Sequence, residues 1–206
     1  DQKQQLLNIE DLKKNITKYD GYYHINFTLN NRKHLISSKR GGLYANIALL
    51  SYLFIKLFVN RFSSNNFFYN EAIIESRGNE VSAFIESKKV KFFDHSYNAS
   101  PYSLNKQILI FNERNINQKV YLLGSMKELG NHSDYFHMQI IEMAIKLNLK
   151  TIFVGNEFYK FKKKFTKFNF YKNYLPVISY LNQEINNIKN IFVMGSRSNQ
   201  LDRVIK

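Results

Sequence analysis

Phe92-Phe93-Asp94-His95-Ser96-Tyr97-Asn98-Ala99-Ser100-Pro101 is the stretch on which the reading of this sequence turns. The apolar run at residues 90–93 reads as a buried strand that ends at Asp94. Polar or small residues follow as far as Pro101, a residue favoured at the first position of a helix, where its missing N–H costs nothing. Beyond it Leu104, Ile108 and Phe111 fall on one helical face. Strand, polar turn and helix N-terminus in that order form the place where α/β folds put ligand chemistry. The same composition also suits an ordinary βα turn closed by cap residues.

The alternation continues along the chain. Short apolar strands are expected at residues 90–93, 119–123, 151–154 and 190–193. Between the second and third, Phe136, Ile140, Met143, Ala144 and Leu147 share a helical face, with a cap at Asn131 or Ser133. Between the third and fourth, Pro176 opens a helix expected to turn Val177, Ile178, Leu181, Ile185 and Ile188 inward. Such a pattern predicts an α/β, Rossmann-like domain at residues 88–206, a parallel sheet with helices on both faces and right-handed crossovers.

Ahead of it, residues 6–18 carry no assignable period. Tyr23, Ile25, Phe27 and Leu29 alternate as a half-buried strand, Asn30-Asn31 turns, and residues 33–37 return as the hairpin partner. Residues 47–59 are apolar but short for a membrane span and carry Lys56, which reads as a buried helix. Residues 61–70 form a polar-aromatic connector. Val81, Ala83 and Ile85 alternate, and Ser87-Lys88-Lys89 turns into the 90–93 strand. An α+β part at residues 1–87 is therefore expected before the boundary near Lys88.

The 206 residues are 44% hydrophobic, ample for a core, which excludes a disordered chain. Cysteine is absent, which excludes disulfides, thiolate zinc sites and thiol nucleophiles and suits a reducing, cytoplasmic setting. The first residues lack the apolar core of a signal peptide, and the first is not Met, so a piece of a longer protein is expected. A net charge of +14 suits nucleic acid, acidic membrane or phosphorylated substrates. Lys and Asn are abundant throughout, however, which reads as compositional drift rather than a dedicated basic surface.

One segment, residues 158–174, interleaves Lys160, Lys162, Lys163, Lys164, Lys167 and Lys172 with aromatics, as single-strand nucleic-acid binders do. A solvated surface segment is the preferred reading, so neither a nucleic-acid partner nor membrane insertion is expected. His132 and His137 lack the spacing and the neighbouring carboxylates or cysteines of a metal site. No serine–histidine–acid constellation proposes hydrolysis.

Residues 94–101, Asp-His-Ser-Tyr-Asn-Ala-Ser-Pro, resemble the Asp-Asp-Ser-Tyr-Asn-Ala-Asn-Pro signature of one branch of the Mur ligases. Residues 123–130, Leu-Gly-Ser-Met-Lys-Glu-Leu-Gly, resemble the family's Leu-Gly-Asp-Met-x-Glu-Leu-Gly. Residues 193–198, Val-Met-Gly-Ser-Arg-Ser, resemble its Val-Lys-Gly-Ser-Arg-Ser, and the three occur in the family's order. Ser76-Arg77-Gly78 is similar to a Gly-Arg-Gly preceding the signature, and Asn46 to the second asparagine of an adenine-contacting Gly-x-His-Asn-x-x-Asn motif. In that last motif Arg40, Gly42 and Leu43 replace the family's glycine, histidine and first asparagine.

The resemblance implies an enzyme that uses ATP and Mg2+ to phosphorylate the carboxylate of UDP-N-acetylmuramoyl-tripeptide. The amine of D-alanyl-D-alanine then attacks the acyl phosphate. It implies that residues 1–87 are the tail end of the central ATPase domain and that residues 88–206 are the domain that brings the dipeptide. It places Asn46, Arg77 and His95 at ATP, and Asp94, Ser96, Tyr97, Asn98, Ser196 and Arg197 at substrate. No catalytic residue and no metal ligand is assigned within the chain. A P-loop, Gly-x-x-x-x-Gly-Lys-Ser/Thr, is not in this sequence, nor is the UDP-binding domain. The chain alone is therefore expected to bind no cofactor and to be inactive without N-terminal and central ligase domains. His95 and Ser125 stand where the family has aspartates and Met194 where it has lysine, which leaves a decayed relative as one alternative; the Lys160–Lys172 segment leaves a basic nucleic-acid-binding module as another. Arg197 and the turn at residues 94–100 are expected to meet at the C-terminal edge of the sheet.

Overall fold

The computed structural model describes residues 14–19, 22–29, 32–38, 49–55 and 76–205. The chain divides into two compact units, Asp1–Ala72 and Ile73–Lys206. In the first, strands β1 (Lys14–Tyr19), β2 (Tyr22–Leu29) and β3 (Arg32–Ser38) form an antiparallel sheet in chain order. The expected hairpin is β2 with β3, in the register that pairs Ile25 with Ile36. Both isoleucines and Phe27 are buried, while Asn26 and Thr28, which alternate with them along β2, are exposed. Residues 49–55 are helical and bury Leu49, Tyr52 and Leu53, the i, i+3, i+4 spacing of one face. Tyr52 meets Phe27 edge-on at 5.5 Å.

The second unit is built on a six-stranded sheet. Its strands are β4 (Asn79–Ile85), β5 (Lys88–His95), β6 (Lys119–Gly124), β7 (Thr151–Val154), β8 (Asn169–Tyr171) and β9 (Asn190–Met194), in the order β4-β5-β9-β6-β7-β8. The five strands from β5 onward are parallel; β4 pairs antiparallel with β5 at one edge. The sheet therefore begins at Asn79, ahead of the boundary expected near Lys88. The exposed pair Glu86-Ser87 closes a tight hairpin, with Glu86 at φ +52°, and β4 hydrogen-bonds along the whole of β5.

Helices α1 (Pro101–Asn112), α2 (Ser133–Lys146), α3 (Asn156–Tyr159) and α4 (Leu175–Glu184) connect the parallel strands. Alternate strand residues feed two cores. Phe93, Tyr121, Leu123, Phe153, Phe170 and Phe192 pack with Leu104, Ile108 and Phe111 of α1 and Ile140 and Ile141 of α2. Phe92, Val120, Leu122, Ile152, Ile191 and Val193 pack on the other side with Val177 and Leu181 of α4. Burial of both faces explains why β6, β7 and β9 are nearly continuous apolar runs.

Two local expectations are corrected. Neither Asn131 nor Ser133 caps α2 through its side chain: a 3-10 turn at Gly130–His132 leads into the helix, and no side-chain cap bond is formed. Ile178 faces outward, 38% exposed, because α4 turns Val177 and Leu181 to the sheet.

Candidate functional site

β5 ends in a turn braced by its own aspartate. Asp94, buried at the strand end, accepts from the Ser96 N–H through Oδ1 (2.9 Å) and from the Ser76 hydroxyl through Oδ2 (2.9 Å). The backbone adds two ties: the Gly78 N–H donates to the Asp94 carbonyl (2.7 Å) and the Tyr97 N–H to the Ser76 carbonyl (3.1 Å). Gly78 has φ +106°, and a Cβ there would come within 3.2 Å of the His95 ring, which lies 5.4 Å from the Phe192 ring. Asn98 Oδ1 accepts from the Ala99 N–H (2.9 Å). Ser100 and Ser103 form a capping box over Pro101, so α1 starts where the sequence places it.

β9 lies beside β5, with His95 opposite Met194, so the residues after both strands emerge at one edge. There the Arg197 guanidinium lies 5.6 Å from the centre of the Tyr97 ring, and the Arg77 guanidinium lies 4.0 Å from the same ring. Ser196 is buried and receives the Ser198 hydroxyl at 3.3 Å. The Ser96 hydroxyl is buried without a hydrogen-bond partner among the described residues. Arg77, Tyr97, Ser96 and Arg197 are thus brought together; Asp94 has both carboxylate oxygens engaged by the protein. Asn46 lies outside the described residues, as does the connector at 61–70.

The 123–130 motif is held against this edge by residues whose part the sequence does not announce. Asn199 donates through Nδ2 to the carbonyls of Ser125 (2.8 Å) and Ser196 (2.9 Å), joining the ends of β6 and β9. Ser125 is fully buried; its hydroxyl donates to the Val154 carbonyl (3.2 Å) and accepts from the Phe158 N–H (3.4 Å). His137, also fully buried, donates from Nδ1 to the Ser133 carbonyl (2.7 Å) and accepts the Met126 N–H at Nε2 (3.0 Å). Burial pushes its imidazole below the ordinary value, against the opposing pull of that carbonyl, Glu157 and Asp134. Glu157 ion-pairs with Lys127. Its carboxyl sits below its ordinary value because Lys127, its own backbone N–H and Ser125 outweigh the opposing effect of burial. Met194 is buried in the aromatic core, so no charge stands where the family has lysine.

The Lys-rich segment folds into the domain. Its Phe158, Phe168 and Phe170 are core residues; it carries the end of α3 and the whole of β8. Lys160 pairs with Asp134 (2.8 Å), Lys167 donates to Asn148 (2.9 Å), and Lys162 and Lys172 lie 5.4 and 5.2 Å from the Tyr159 ring. The buried rings cannot stack on bases. Among the described residues no cluster of His, Asp or Glu suits a metal ion, and no helix is long and apolar enough to cross a membrane.

No family model matches the chain. It is 24% identical over 114 residues to the UDP-N-acetylmuramoyl-tripeptide--D-alanyl-D-alanine ligase of Rickettsia prowazekii, a match covering 53% of this chain and 25% of that protein. Its fold is similar to a crystal structure of MurF from Acinetobacter baumannii (TM-score 0.69, 18% identity, 94% of this chain and 44% of that one). It is also similar to MurF ligase from Thermotoga maritima in complex with ADP (TM-score 0.68, 23% identity, 94% and 44%). The chain thus spans a quarter of the curated relative it matches and under half of these solved chains, an extent consistent with a C-terminal portion. The chain is thus similar in sequence, over about half of its length, to one D-alanyl-D-alanine-adding ligase and similar in fold, over nearly all of it, to solved MurF chains.

Proposed function

We propose that this chain is the dipeptide-presenting part of a cytoplasmic ligase that joins D-alanyl-D-alanine to UDP-N-acetylmuramoyl-tripeptide in peptidoglycan synthesis. It works with UDP- and ATP-binding parts that these residues do not supply. The observation that carries the reading is the meeting of the 94–100 turn and the 195–200 turn at one sheet edge, with two guanidinium groups on the Tyr97 ring. A free dipeptide offers one carboxylate and one amine. Arg197, with the Ser196 hydroxyl beside it, supplies the cation for that carboxylate through charge-assisted hydrogen bonds.

ATP, when bound, supplies the phosphoryl group that activates the tripeptide carboxylate. Arg77 and the half-buried His95 are the residues of this chain that suit the ribose or phosphate edge of a nucleotide; with no P-loop in the sequence, the remaining phosphates and Mg2+ fall to the ATP-binding part. Tyr97, Asn98 and Ser96 line the turn, and Asp94 acts from beneath it by fixing Ser96 and Ser76. Calorimetric titration of the chain with D-alanyl-D-alanine tests the reading. Arg197→Ala should weaken binding by about tenfold, the loss of one charge-assisted bond. Absence of dipeptide binding by the unmodified chain, or equal binding by the variant, would overturn it.

The burial of Ser125 and Met194, which carry no charge where the family has one, supports a second reading: a relative that keeps the fold and has lost ligation. Supplying the ATP-binding part and measuring dipeptide-dependent phosphate release separates the two.

A further inference from the structure

Tyr97 is the residue to which both cationic arms return. Its ring carries Arg77 at 4.0 Å and Arg197 at 5.6 Å, although these arginines come from segments on opposite sides of it in the sequence. Its own backbone is tied to Ser76, the neighbour of Arg77, by the N–H that donates to the Ser76 carbonyl. The residue before it, Ser96, is 4% exposed, and its hydroxyl has no hydrogen-bond partner among the described residues. A buried polar atom of that kind calls for an explanation, and a ligand at this turn is one. Long arginine side chains lose much rotamer freedom on binding, and an aromatic face that already orders them reduces that loss.

We propose that Tyr97 is a positioning residue shared by two anion subsites: its ring orders the Arg77 and Arg197 guanidinium groups, so anion binding at both depends on one side chain whose hydroxyl contributes nothing. The ligand identities, nucleotide phosphate at Arg77 and dipeptide carboxylate at Arg197, rest on the ligase reading above; the shared ordering of the two arms does not.

The test follows the arginine Nε–H signals of the 206-residue chain by NMR, assigned with Arg77→Lys and Arg197→Lys, during titration with inorganic pyrophosphate and, separately, with D-alanyl-D-alanine. Both signals should move with pyrophosphate, a small anion that enters either subsite, and the Arg197 signal should move with dipeptide. Tyr97→Leu should weaken every one of these bindings by about fivefold, the loss of a ring–guanidinium contact at each arm. Tyr97→Phe, which keeps the ring, should stay within about twofold of the unmodified chain. Tyr97 is 38% exposed, so both variants should keep the unfolding midpoint, checked in parallel.

A Leu variant that leaves either arginine's pyrophosphate midpoint unchanged overturns the proposal. So does a Phe variant as weak as Leu, which would make the hydroxyl a ligand contact, and so does an unmodified chain in which neither arginine responds to pyrophosphate. A pyrophosphate response at both arms without any dipeptide response supports the shared ordering while removing the dipeptide assignment, which separates the two failures.

Discussion

Protonating His137 would place a cation in a fully buried position beside Phe158, whose ring lies 4.5 Å away, and remove the acceptor for the Met126 N–H. The groups facing it are Glu157, Asp134, Lys160 and the Ser133 carbonyl. Its folded-state pKa lies below the ordinary 6.5, so as pH falls through 6.5 the unfolded chain takes up a proton that the fold refuses, and stability is lost. The thermal midpoint should therefore fall between about pH 7.5 and pH 5.5, and His137→Gln, which can still accept from Met126, should flatten that fall. Equal slopes in both proteins would show that another group is responsible. Ser125 makes a related point. Its hydroxyl sits between a carbonyl acceptor and an amide donor beside the Glu157 carboxylate. Ser125→Asp, although it restores the family residue, should lower stability by about 2 kcal/mol in urea unfolding, because it buries a charge facing an acceptor and a like charge. His137 and Asn199 were not legible as braces in the sequence: their partners Met126 and Ser125 are distant along the chain, and spacing rules see only near neighbours.

At the scale of elements, the sequence was most readable where both faces of a strand are buried. β6, β7 and β9 are apolar runs, β5 is apolar and buried at Val90, Phe92 and Phe93, and α1 begins at its Ser100 cap and Pro101 as expected. β8 was missed because three residues, Asn169-Phe170-Tyr171, bury only Phe170 and sit within a Lys-rich stretch that resembles a solvated loop. β1 was missed because Lys14–Tyr19 carries too few apolar residues to show a period. The meeting of Arg197 with the 94–100 turn at the sheet edge was legible through the strand ends, but the insertion of β9 directly beside β5 and the place of Arg77 on the Tyr97 ring are not contained in a list of strands. The junction of β7 and α3 turns on Gly155, at φ +110°, where a Cβ would lie 2.2 Å from Ser125 Oγ and 2.6 Å from Asn199 Oδ1. Gly155→Ala should thus cost about 2 kcal/mol or more by strain and displacement together, read from urea unfolding. It should also disturb the Asn199 bridge between the ends of β6 and β9. A variant as stable as the parent would mean that the loops shift freely.

For the whole molecule, the two units of contacts have a direct consequence. Both cores of the six-stranded sheet are built from residues after Ala72. Residues 73–206 expressed alone should therefore unfold in one cooperative urea transition, with circular dichroism and intrinsic fluorescence coinciding. A broad or non-coincident transition would show that the domain leans on the residues before it. The +14 charge is a second whole-molecule property. Because Phe158, Phe168 and Phe170 of the Lys-rich segment are buried and Tyr159, Phe161 and Phe165 are packed half-buried against the same core, substituting Lys162, Lys164 and Lys167 with Gln should leave any binding of single-stranded RNA weak and non-specific at physiological salt, measured by anisotropy.

The two margins of the sheet bear on how this protein behaves when crowded with copies of itself. An unpaired strand margin is a template for strand addition from another chain. β8 offers only three residues for it, flanked by Lys167 and Lys172. β4 alternates half-buried and exposed positions, and its exposed Glu80 is engaged by Lys91 and Arg114. Among the described residues, a neighbour approaching either margin meets a short ladder or a charge cluster, which defends the Rossmann-like domain against fibrillar growth. Phe84, 70% exposed on β4, is the weak point in that defence.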